Sequence, residues 1–90
     1  MKSFEYSLKE AWLCSALFRF GRDVEAALVM VELFDGVQAL LSEASSVHQQ
    51  AWTRLLLLML GCQERQDWLG LADTLQYEMI ELLEAVQADR

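Results

Sequence analysis

Apolar residues recur every three to four positions along almost the whole chain, and no stretch alternates with period two for long. That spacing belongs to amphipathic helices rather than strands. The pattern breaks in three places. Gly21-Arg22-Asp23 offers a glycine suited to end one helix and an aspartate suited to cap the next. Ala44-Ser45-Ser46 ends on a serine three residues before Gln49, the spacing of a capping box. The polar run from Gln63 to Asp67 follows Gly61, with Asp67 as the cap of what comes next. The breaks predict helices over 4–20, 23–43, 47–63 and 68–87, and hence an all-α, antiparallel up-down four-helix bundle.

On a 100° wheel the fourth helix gathers Trp68, Leu71, Ala72, Leu75, Met79, Leu82 and Val86 on one face, with Asp73, Glu81 and Glu84 pointing away. The second gathers Ala26, Met30, Leu33, Phe34, Val37, Leu40 and Leu41, with Glu25, Glu32 and Glu43 outside. Both read as ordinary bundle elements with one apolar stripe. The other two helices carry too much. The third is apolar all round from Leu55 to Leu60, so that Leu57 and Leu60 share the side of Thr53, which ought to be solvent. The first has Phe4, Leu8, Ala11 and Phe18 on one face and Leu13, Leu17 and Phe20 on another. A monomeric bundle needs one apolar face per helix, so Leu13, Leu17, Phe20, Leu57 and Leu60 are the candidate partner-binding or dimer-interface residues.

Composition narrows the class. Ninety residues suit one domain spanning 1–90, at a size where one core is only just sufficient and a partner or self-association helps. A 54% apolar content excludes a disordered chain, and four glycines with no proline leave few turns for a sandwich or barrel. The net charge of −7 argues against nucleic acid or an anionic membrane as partner. It is unevenly spread: residues 23–43 hold five acids and no base, residues 66–90 hold six acids against Arg90, and the other two segments are mildly basic. In an up-down bundle, each acidic helix would lie between two mildly basic ones.

The start Met1-Lys2-Ser3-Phe4-Glu5 does not read as a signal peptide, and the run Leu55 to Leu60 is far short of the ~20 residues a bilayer demands. A cytoplasmic chain without a membrane partner is expected, with Cys14 and Cys62 as free, buried thiols. Ala11-Trp12 stands before Gly21 at the spacing of Ala51-Trp52 before Gly61, which hints at two related hairpins.

Chemistry is sparse. His48 is the only histidine and reads as a solvated residue at a helix start. The residues after it, Gln49, Gln50, Ala51 and Trp52, lack the basic residue and glycine of histidine phosphotransfer domains, which this chain resembles in architecture alone. Glu78, Glu81 and Glu84 form a possible acidic recognition face without the Glu-x-x-His pairs of a di-metal bundle. With no phosphate loop, Cys-x-x-Cys or nucleophile elbow, no enzyme, metal or cofactor is expected. Met30, Met59 and Met79 are adaptable groups of the kind that grip amphipathic helices, or plain core.

In size, acidity, helical pattern and surplus apolar positions the chain resembles the small bacterial export chaperones, in particular the flagellar ones of the FliT type, with the segment Asp67 to Glu78 family-like in character. The resemblance implies a non-catalytic protein that keeps an aggregation-prone secreted partner soluble by holding its apolar helix in a groove along helices 1 and 3. The chain is also similar in length, acidity and architecture to immunity proteins for nuclease bacteriocins, which neutralise a basic enzyme. Their tyrosine-rich recognition stretch is missing, because Tyr6 and Tyr77 stand alone. A homodimer whose apolar surplus meets itself is the third alternative.

Overall fold

A computed structural model of the chain describes residues 3–89. Four helices follow one another: α1 (Phe4–Arg19), α2 (Asp23–Leu41), α3 (Ser46–Glu64) and α4. The last is continuous but not uniform, with α-helical Trp68–Asp73, a π-helical stretch Thr74–Met79 and α-helical Ile80–Ala88. The chain is an all-α four-helix bundle, with ends within two residues of those read from the sequence. Among the described residues no helix is long and apolar enough to cross a membrane.

The caps explain the boundaries and correct two expectations. Ser3 Oγ accepts from the Tyr6 amide at 3.1 Å and starts α1. Gly21, at φ +74°, ends it, donating its N–H to Phe18 while the Arg22 N–H reaches Leu17, the paired closure that a left-handed residue allows. Asp23 does not cap α2. It is the first helical residue, Arg22 occupies the cap position without a side-chain bond, and the acid sits instead against the positive end of the helix. Ser45, not Ser46, caps α3, accepting from the His48 amide. Gln49 is thereby freed from a capping box, and its Nε2 lies 3.1, 3.3 and 3.2 Å from the carbonyls of Leu41, Ser42 and Ala44, tying the end of α2 to the start of α3. Helix α3 runs through Gly61 and closes at Gln66, which takes the left-handed conformation at φ +56°. Asp67 caps α4 as the sequence predicts, Oδ1 accepting from Gly70 N–H at 3.0 Å.

The π-helical stretch is not legible in the periodicity. At its start the Thr74 hydroxyl donates back to the Gly70 carbonyl at 2.9 Å, a bond that competes with the backbone ladder and bends helices. Leu71, Ala72, Thr74 and Leu75 are buried before and at its start, Met79, Leu82, Leu83 and Val86 at its end and after. The wider turn resets which residues face inward.

Helix α1 packs along α2 and along α4, α3 packs along α4, and α2 and α3 approach each other far less. Helices α1 and α3 face each other across the bundle, as do α2 and α4, so the acidic helices lie apart. Specific contacts fix the directions. Phe18 near the end of α1 stacks on Trp68 at the start of α4, Arg19 Nη2 reaches Asp73 Oδ1 at 2.6 Å and Gln76 Oε1 at 2.8 Å, and Cys14 Sγ donates to the Ala26 carbonyl at 3.4 Å. Trp52 of α3 donates from Nε1 to Gln38 Oε1 at 2.8 Å and sits edge-on to Phe34, both on α2.

The core is one cluster drawn from all four helices, with Leu33, Leu41, Met59, Leu71, Leu75, Met79 and Leu83 essentially inaccessible. Met30, Met59 and Met79 belong to it and do not serve an adaptable surface. The two hairpins do not share roles, since Trp12 is exposed and Trp52 buried.

Candidate protein-binding surfaces

The surplus apolar positions stand outside the core. Leu13 of α1, Phe20 at its C-cap and Leu57 and Leu60 of α3 are exposed, Phe20 to 79%, while Leu17 is half-buried and packs on the core edge. Because α1 and α3 sit across the bundle, the five residues do not line one groove. They belong to two rows on different helices.

A third row was missed. Helix α2, read above as an ordinary one-faced element, exposes Val24, Leu28 and Val31 by two-thirds or more. The spacing i, i+4, i+7 puts them on one stripe opposite the buried Ala26, Leu33 and Val37. The signal was present in the sequence, but a wheel on which most positions are apolar hides a second stripe behind the first. Leu13, Leu17 and Phe20 repeat the same spacing on α1, and Thr53, Leu57 and Leu60 repeat it on α3. Such three-four rows are the seams by which helices accept other helices.

The rows of α2 and α3 lie on helices joined by a short turn and held together at Trp52. Trp52 against Phe34 and Gln38 sets the register of this antiparallel pair, and following both helices away from it brings Val31 level with Leu57 and Leu28 level with Leu60. Half-buried Ala27 and Leu56 lie at the inner edge of these rows. Beyond Trp52 the two helices are not closely packed, and both rows stay exposed.

The acidic candidates lie elsewhere. Glu78, Glu81 and Glu84 are all exposed on α4. Glu78 and Glu81 line a groove of about 400 Å³ between α3 and α4, with Leu55, Leu58 and Leu82 as its apolar lining and Arg54 among its walls; Glu84 is outside it. The groove thus mixes charges rather than presenting acid alone.

His48 departs from expectation. It is not solvated: its side chain is only 14% exposed, and Nε2 meets Asp89 Oδ2 at 2.5 Å, joining the start of α3 to the end of α4. The pair is a tertiary contact across 41 positions that no local pattern reveals. Cys14 and Cys62 are free and buried as read. Burial, with a smaller contribution from the Glu10 carboxylate, pushes the Cys14 thiol from 9.0 up to about 12, which keeps it an inert donor. Among the described residues no three His, Cys, Asp or Glu side chains gather as metal ligands.

No family model matches the chain, and no curated protein or solved structure matches it either.

Proposed function

We propose that this chain is a non-catalytic protein-binding module that holds an amphipathic helix of a partner protein against the apolar row of α1. The observation that carries the reading is Leu13, Leu17 and Phe20, spaced as a helix seam and left at the surface of a bundle whose core is already filled. Burying such a row on a partner removes apolar area from water at about 25 cal/mol per Å². A role like that of the export chaperones it resembles, keeping an aggregation-prone secreted or flagellar protein soluble in the cytoplasm, is the specific form of this proposal.

A second reading has its own observation: Glu78 and Glu81 flank an apolar-lined groove between α3 and α4, which suits an acidic inhibitor of a basic enzyme. Salt separates the two, since apolar association survives high ionic strength and charge recognition does not.

The test is a tagged pull-down from the native cytoplasm at low and high salt, with mass spectrometry, repeated with Leu13→Ser/Phe20→Ser. A secreted protein kept at high salt and lost by the variant supports the helix-holding role. A basic enzyme lost at high salt and kept by the variant transfers the function to the acidic groove. Recovery of no other protein overturns both.

A further inference from the structure

We infer that the open seam between α2 and α3 is covered by a second copy of this chain, in a two-fold dimer with α2 of each copy lying over α3 of the other. This surface is separate from the α1 row to which the partner was assigned.

The first argument is area. Val24, Leu28, Val31, Leu57 and Leu60 are each about half to three-quarters exposed and together leave roughly 400 Å² of apolar side-chain surface bare. Each partner in a stable interface gives up ~800 Å², of which a little over half is apolar. The two rows therefore supply about the apolar share that one protomer must bring.

The second argument is charge. A two-fold interface is self-complementary, so whatever one copy offers must suit what the same surface offers back. Helix α2 holds four acids and no base, while the only charged side chain facing solvent between Ser46 and Gln63 of α3 is Arg54. Stacking α2 on α2 sets acid against acid. Crossing the helices, with the two-fold axis running along the seam, sets α2 on the neutral-to-basic α3 and keeps every residue at its own level. The level of Asp35, which continues the apolar row one turn past Val31, is that of Thr53 and Arg54, by the register that Trp52 imposes. Asp35 of one copy thus falls at the level of Thr53 and Arg54 of the other, twice per dimer, although Arg54 also borders the α3–α4 groove beside Glu78 and Glu81. Neither has an ion-pair partner among the described residues of its own chain. Apolar contacts Leu28 to Leu60 and Val31 to Leu57 fill the space between.

Analytical ultracentrifugation of the full chain over about 1–200 µM tests this, with thermal melts as the folding control. A species of twice the 10.3 kDa chain mass is expected, and Leu28→Asp should return it to monomer. Asp35→Arg and Arg54→Asp should each raise the dimer dissociation constant roughly tenfold, and the double exchange should bring it back to within about threefold. All three sites are exposed, so the variants keep the fold. A wild type that stays monomeric throughout, or a dimer indifferent to Leu28→Asp but lost with Leu13→Ser, overturns the inference. A dimer lost with Leu28→Asp that the double exchange fails to restore overturns the crossed pairing. None of these outcomes depends on whether the α1 row captures a partner.

Discussion

Phe18, in the last turn of α1, lies flat on Trp68, the first residue of α4, with ring centroids 5.6 Å apart and planes within 9° of parallel. The two are fifty positions apart in sequence, and with the Arg19 bonds to Asp73 and Gln76 just beyond they lock the first helix to the last. Truncation here removes buried aromatic area and leaves a cavity. Phe18→Ala should cost about 3–5 kcal/mol, read as a lower urea midpoint with an unchanged slope. In a double-mutant cycle with Trp68→Ala the stacking itself should appear as about 0.5–1.5 kcal/mol of coupling.

The two left-handed helix ends predict opposite signs. Gly21 has open space around its Cα, so Gly21→Ala meets only the backbone penalty of φ +74° and should destabilise by about 1 kcal/mol. Gln66 already bears that penalty at φ +56°, and Gln66→Gly should stabilise by up to about 1 kcal/mol. Thermal midpoints that move the same way for both variants would refute the assignment of these two closures.

Trp52 is buried, and among the described residues its indole N–H is satisfied by Gln38 alone. Gln38→Leu keeps the bulk and deletes the acceptor, so a loss of about 1–3 kcal/mol is expected from the stranded donor. Gln38→Glu retains an acceptor and should lose less. Chemical denaturation of both variants gives the comparison.

The Cys14 thiol makes stability fall at high pH. Its folded pKa of about 12 lies above the unfolded 9.0, so between these values the unfolded chain has released the proton and the folded chain retains it. Fewer protons on the unfolded state mean that stability declines as pH rises, approaching 1.4 kcal/mol per unit in the middle of that window. Cys14→Ala should flatten this decline between pH 9 and 12 while costing stability at pH 7. In the folded protein at pH 8, iodoacetamide should leave Cys14 unmodified.

Helix existence, approximate ends and the faces of α4 follow from the sequence because they rest on interactions between residues a turn apart: apolar spacing at Leu71, Leu75, Met79 and Leu82, the Asp67 cap, the Gly21 stop. The excess at Leu57 and Leu60 was equally legible, since it is a count of apolar positions around one helix. What only the tertiary structure decided are relations between helices. Which two are neighbours separated Leu13, Leu17 and Phe20 from Leu57 and Leu60 and exposed a row at Val24, Leu28 and Val31 that the single-helix wheel had placed behind a core face. The His48–Asp89 contact, the register set by Trp52 and the π turn at Thr74 belong to the same class. Local periodicity records the direction in which each side chain points, but how wide an arc of a helix is covered depends on how closely its neighbours approach, and that is set by the packing of the whole bundle.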